Sequence, residues 1–209
     1  MNFTIPYNFK ALLAGIMIGL GCIANCTTFT LSPILGSLLF SIGLMCVILQ
    51  QHNLYTGKIG YVSKENWKDL IPMLIYNMGG TVLICVPFLF TRTAGIICDN
   101  ASIFTEVKLN DSLLSLFILG IGCGMMVFLA VDNYKREANP LLVFIPIMFF
   151  ILCGFEHCIA DAGYFVLARD VDFWEVLIRI VIIAIGNSIG SLILSKLNVT
   201  VILCRYGKK

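Results

Sequence analysis

Long apolar runs separated by short polar stretches fill the chain, and their lengths approach the ~20 residues that a helix needs to cross a bilayer. Six such runs are predicted as spans: roughly Ala11–Leu31, Ile34–Leu49, Leu70–Phe90, Leu113–Val131, Leu141–Leu167 and Phe173–Leu194. The second ends abruptly at Leu49 and gives way to the polar string Gln50-Gln51-His52-Asn53-Leu54-Tyr55-Thr56-Gly57. The fifth is interrupted over Gly154–Asp161, where Glu156, His157 and Asp161 enter an otherwise apolar run. The first run is too long and too glycine-punctuated for a signal peptide, and no small-residue cleavage site follows it.

The composition agrees with that pattern. The chain is 59% hydrophobic and 12% charged, where a soluble domain carries about 25% charged residues, and its mean hydropathy is +0.94. A net charge of +2 with no aromatic-interleaved basic cluster argues against nucleic acid as a partner. With the N-terminus inside, ten Lys and Arg fall on the inner side (Lys10, Lys58, Lys64, Lys68, Lys135, Arg136, Lys196, Arg205, Lys208, Lys209) and four on the outer side (Arg92, Lys108, Arg169, Arg179). That asymmetry predicts both termini in the cytoplasm of a bacterial cell, with the protein in the cell membrane.

Nine cysteines are present, but most fall inside spans as small apolar residues, and no Cys/His spacing points to zinc or an iron–sulfur cluster. No disulfide framework, metal or other cofactor is expected. Enzyme motifs such as Gly-x-Ser-x-Gly and His-Glu-x-x-His are absent, so a membrane enzyme is disfavoured. His52 and His157 as a haem-ligating pair is the remaining enzymatic alternative.

The two halves echo each other. Asn77-Met78-Gly79-Gly80 in the third span reappears 110 positions later as Asn187-Ser188-Ile189-Gly190 in the sixth, and Phe40 maps to Phe150 at the same offset. Gly15 and Gly19 find counterparts in Gly120 and Gly124 with the offset shortened by five. Three spans per half force opposite orientations on the halves. Inverted repeats of this kind place a pathway near the midplane, lined by the interrupted helices.

These residues resemble the formate/nitrite transporter family over nearly the whole chain. The resemblance is carried by the first-span glycines, Phe40-Ser41-Ile42-Gly43-Leu44, Leu54-Tyr55-Thr56-Gly57, Asn77-x-x-Gly80, Gly154-Phe155-Glu156-His157-x-x-Ala160 and Gly186-Asn187-x-x-Gly190. It implies an all-α membrane protein: an aquaporin-like six-helix bundle with an inverted 3+3 repeat and broken second and fifth helices, in one domain over residues 1–209. Repeat one would run from about 8 to 95 and repeat two from about 112 to 209. It also implies a homopentamer with one pore per subunit, embedded in lipid, passing small monovalent weak-acid anions such as formate, nitrite or hydrosulfide together with a proton.

By motif matching, Phe40, Leu44 and Phe150 would form apolar constrictions on either side of a central chamber, with His157 in the chamber and Thr56 on the broken second-span segment. Two departures are visible. The family's asparagine four residues after the histidine is Asp161 here, and its vestibule lysine falls at Asn139. A histidine titrates near physiological pH, so His157 could protonate or hydrogen-bond an anion that an apolar ring would otherwise reject. Asp161, four residues on, is expected either to couple to His157 and favour its protonation or to cap the resumed helix. Glu156, Asn77 and Asn187 are assigned to supporting the broken helices, Glu156 by accepting from backbone N–H groups freed at the break. His52 is expected to be solvated, and Trp67 and Trp174 to anchor at the interface. The competing transport reading is a pore for a small neutral solute such as urea or glycerol.

Overall fold

The computed structural model describes residues 6–206, with side chains through 198; Lys208, Lys209 and the Arg205 side chain, counted above, lie outside the described residues. The elements are α1 (Tyr7–Thr28), α2 (Pro33–Leu49), α3 (Tyr55–Lys58), α4 (Leu70–Phe88), α5 (Ala94–Asn110), α6 (Leu113–Glu137), α7 (Leu141–Leu152), α8 (Cys158–Ala168) and α9 (Phe173–Tyr206). No strand occurs among the described residues. Four helical stretches are long and apolar enough to cross a membrane: Tyr7–Thr28, Trp67–Phe88, Leu113–Glu137 and Phe173–Asn198. Large apolar side chains such as Ile71, Leu83, Leu114, Ile145 and Ile178 stay exposed on the outside, which suits lipid or a partner subunit rather than water.

Local chemistry explains the ends. Ser32 and Ser112 cap α2 and α6 by accepting from the N–H groups of Leu35 (3.3 Å) and Ser115 (3.1 Å), and Pro33 occupies the first turn of α2 where a missing N–H costs nothing. The second and fifth predicted spans are each broken. The first break covers Gln50–Leu54 and the second Cys153–His157, which is narrower than the sequence suggests, because α8 resumes at Cys158 and takes Ala160 and Asp161 into its first turn. Gly154 turns the chain there at φ +67°, a conformation that suits glycine because it carries no Cβ.

Between α4 and α6 lies a 17-residue helix, α5, where hydropathy gives only a connection. It packs against α1 and α8, with Ile97, Asn100, Ala101 and Thr105 buried. The Asn100 amide donates to the Cys26 carbonyl at 2.8 Å. At its C-terminal end Arg179 of α9 donates from Nε to the Lys108 carbonyl (3.0 Å) and from Nη2 to the Leu109 carbonyl, giving the last turn both partners and a favourable charge.

Two helix pairs, α1 with α4 and α6 with α9, meet backbone to backbone. A Cβ on Gly15 would lie 1.9 Å from the Asn77 carbonyl oxygen, and one on Gly124 would lie 2.1 Å from that of Asn187. Gly80 and Gly190 stand in the same relation to the carbonyls of Leu12 (2.1 Å) and Ile121 (2.0 Å). Such close approach is open only to glycine. These contacts correct the pairing expected from sequence: Gly15 answers to Gly124, at an offset of 109, and not to Gly120.

Each close pair carries an asparagine that spans a break. Asn77 Oδ1 accepts from the Tyr55 N–H at the start of α3 (2.8 Å), while its Nδ2 donates to the carbonyls of Ala11 (2.7 Å) and Asn53 (2.9 Å). Asn187 Oδ1 accepts from the Cys158 N–H at the start of α8 (3.1 Å), and its Nδ2 donates to the carbonyls of Gly120 and Glu156 (both 2.8 Å). Thr81 and Ser191, one turn on, donate to the carbonyls of Gly15 and Gly124 at 2.9 Å. Asn187→Ala would strand the Cys158 N–H and the Glu156 carbonyl, so it is expected to destabilise the detergent-solubilised protein by about 2 kcal/mol or more. A thermal melt matching the parent protein would contradict this.

Candidate functional site

The first N–H groups of a helix have no partner within it, and α8 begins inside the protein, so its own neighbours must supply acceptors. The Cys158 N–H goes to Asn187. The Ala160 N–H goes to His157, whose Nδ1 accepts at 3.1 Å. An Nδ1 that accepts carries no hydrogen, so the ring hydrogen sits on Nε2 and is donated to Thr56 Oγ1, 2.9 Å away on α3. One imidazole thus caps one broken helix and reaches the other. Thr56 is 0% and His157 3% exposed. Taking up a second proton at Nδ1 would forfeit a cap, a loss of about 1 kcal/mol before the cost of burying the charge.

Apolar rings lie against this pair. The Phe150 ring stacks on the imidazole with centroids 6.1 Å apart and planes at 24°, and Phe40 meets Phe150 edge-on, also at 6.1 Å. On the α5 side, a cavity of about 350 Å³ is lined by Phe40, Phe150, His157, Lys108, Glu156 and Asp161 among others. On the α3 side, a second cavity of about 450 Å³ is lined by Leu44, Leu54, Gly57, His52, Lys58 and Lys135 among others. Leu44 lies about one turn beyond Phe40 on α2 and faces this second space.

The charged residues are arranged differently from the sequence expectation. Asp161 has Lys108 as its ionic partner, with Oδ1 3.4 Å from Nζ, and it makes no contact with the imidazole of His157. It is not the cap of α8 either, since His157 fills that position. Glu156 does not gather backbone N–H groups: its carboxylate takes the Lys108 ammonium at 2.5 Å, while the support it gives the break is its carbonyl, accepting from Asn187. Lys108 is therefore the residue that the sequence reading misplaced as an outer-loop charge. Its detectable signal was position: Ile97, Ala101, Phe104 and Lys108 form one stripe along α5.

The rest of the expected set is spread around this centre. Asn139 is an exposed residue whose Oδ1 accepts from the Leu141 N–H at 3.0 Å. His52 is half-buried on the wall of the second cavity, with an Nδ1 that makes no hydrogen bond to the described residues. Both nitrogens of His157 are engaged, which removes it as a haem ligand, and among the described residues no group of His, Cys, Asp or Glu is placed to hold a metal. The described cysteines are free, Cys153 being exposed at the break.

Comparison with known proteins follows the same lines. The sequence pattern described as "Formate/nitrite transporter" matches residues 4–202. The chain is 26% identical to the formate channel BtFdhC of Bacillus thuringiensis over 205 residues, covering 85% of this chain and 79% of that protein. It is also 26% identical to the uncharacterized transporter YrhG of Bacillus subtilis, covering 77% of this chain and 68% of YrhG. Among solved structures, a pentameric formate channel with formate bound superposes with a TM-score of 0.82 at 22% identity, covering 95% of this chain and 96% of that one. An ion channel of the same family gives 0.81 at 22% identity, over 94% and 89% of the two chains.

Removing Lys108 would leave the ionised Glu156 and its neighbour Asp161 buried without a cation. Lys108→Met is expected to cost about 3–5 kcal/mol, read as a large fall in melting temperature or loss of the folded protein in detergent. An unchanged melt would show that the cluster is not ionised as described.

Proposed function

The chain belongs to the formate/nitrite transporter family, and from that membership we propose that it is a multi-pass membrane channel for a small monovalent weak-acid anion of the formate type. The proposal extends to six spans in one domain, arranged as two inverted halves of an aquaporin-like bundle. The matched hydrogen bonding of Asn77 and Asn187 supports that arrangement. It extends also to a homopentamer with one pathway per subunit in the cell membrane, with both termini cytoplasmic.

The observation that carries the reading is the buried His157–Thr56 hydrogen bond: His157 lines one cavity with Phe40 and Phe150, and the neighbours of Thr56 in sequence, Leu54 and Gly57, line the other with Leu44. A bare anion cannot shed its water to pass such rings without a large penalty, whereas the neutral acid passes at far lower cost. Polar hydrogens at the middle let a small oxyanion exchange water for protein. With Nε2–H donated to Thr56, the threonine hydroxyl hydrogen is free to turn toward an arriving oxygen. In this mechanism the histidine orients the Thr56 hydroxyl, which hydrogen-bonds the cargo, and keeps its own cap.

Uptake into proteoliposomes tests the reading. Labelled formate, nitrite or hydrosulfide is expected to enter with a rate that rises as pH falls, and His157→Asn or Thr56→Val to lower it by about 10-fold or more, since each removes one partner of the buried polar pair. Uptake of urea or glycerol that ignores pH, with none of these acids moving, would overturn it in favour of a neutral-solute pore.

A further inference from the structure

Two carboxylates share one ammonium beside the cavity on the α5 side. Lys108 lies 2.5 Å from Glu156 Oε2 and 3.4 Å from Asp161 Oδ1; both acids are buried and the lysine side chain is 11% exposed. With every group ionised the cluster would hold an uncompensated negative charge, and the exposure of its two acids is 4% and 2%. Charge of that kind is costly away from water, and one proton removes it. The two carboxyls are not equivalent. Glu156 is drawn tightly to Lys108. Asp161 is held more loosely, and its Oδ2 is buried with no hydrogen-bond partner. An ionised oxygen in that position is unsatisfied, whereas a carboxylic acid loses little there.

The titratable groups around Asp161 are Lys108 of α5, Glu156 of the break, Cys22 of α1, Cys123 of α6, and Cys158 and Tyr164 of α8, with Cys85 of α4 beside Cys22 and His157 on the wall of the same cavity. Lys108 is the only cation in this set; Arg179 of α9, which meets the Lys108 carbonyl, is paired with Glu175 instead. Asp161 and Glu156 line the same cavity as His157 and Phe150, and the cavity also touches the exposed residues Val107 and Leu152, which puts it within reach of the surface.

We propose that the Lys108–Glu156–Asp161 cluster is a proton-binding site and that Asp161 is the group that hands its proton to the cargo anion. The assignment rests on the weak-acid reading above. In the step, the O–H bond of the Asp161 carboxylic acid breaks and an O–H bond forms on an oxygen of the cargo anion. The cargo becomes neutral and moves past Phe40 and Phe150, Asp161 is left as a carboxylate beside Lys108, and a proton from solution at the α5 side restores it. The donor is then separate from His157, whose Nδ1 is committed to the backbone of α8.

Two isosteric substitutions test the site, Asp161→Asn and Glu156→Gln, because either removes the surplus acid and leaves one full ion pair. Infrared spectroscopy of the reconstituted wild-type protein is expected to show a buried carboxylic-acid carbonyl band at neutral pH that is missing from both variants. Formate uptake by the wild-type protein is expected to reach a plateau as pH falls, once the site is filled. Asp161→Asn is expected to lose the plateau, follow bulk proton concentration, and run about 10-fold slower at neutral pH. A band retained in both variants, or an Asp161→Asn profile with the wild-type plateau, overturns the proposal. If the wild-type protein moves no weak acid, it is the transport reading that fails, and the infrared band still decides whether the cluster holds a proton. If Asp161→Asn does not fold, Glu156→Gln carries the same spectroscopic prediction.

Discussion

A hydrocarbon interior offers no hydrogen-bonding partner, so a helix broken at membrane depth must find one in the protein for every backbone group it frees. Most features of this chain can be traced to that constraint. Asn77 and Asn187 each satisfy a break with one acceptor and two donors, and they can do so only because α1 and α4, and α6 and α9, lie in backbone contact. The glycines at 15, 80, 124 and 190 make that contact possible. A larger residue at any of these places would move an asparagine, and with it the start of α3 or α8.

The same constraint decides what the central histidine can do. Cys158 and Ala160 need acceptors at the start of α8, and His157 supplies one of them with Nδ1. The ring is thereby fixed in orientation and tautomer, with its remaining hydrogen aimed at Thr56 across the gap between the broken helices. A side chain that caps a helix in this way serves well as an oriented polar contact and poorly as a group that gains and loses charge. The ionic chemistry is gathered a few residues away, where Lys108 stands between Glu156 and Asp161. Burial makes this trio interdependent, because removing the cation leaves unpaired acids and removing one acid leaves a balanced pair.

Family membership and the geometry bear on different questions. Membership places the chain among membrane channels and transporters for small anions. The geometry concerns how this chain departs from the family's pattern, with an acid at 161 and an exposed, hydrogen-bonded asparagine at 139. Asp161 faces Lys108 rather than the imidazole of His157. It adds a second acid to a cluster built around a lysine from α5.

Four long apolar helices, the two breaks, the paired asparagines and the Glu156-His157 string were legible in the amino-acid order, because hydropathy, turn residues and short motifs are local properties that survive without coordinates. The sequence left α5 as a connection, since Asp99, Glu106 and Lys108 make that segment too polar for a hydropathy window. It also read Asp161 against the neighbour four residues away along a helix, although the helix begins only at Cys158 and turns that carboxylate toward α5. These partnerships are set by packing between distant segments. Lys108 lies 48 residues from Glu156 along the chain, and which buried charge meets which depends on how α5, α8 and α9 pack together.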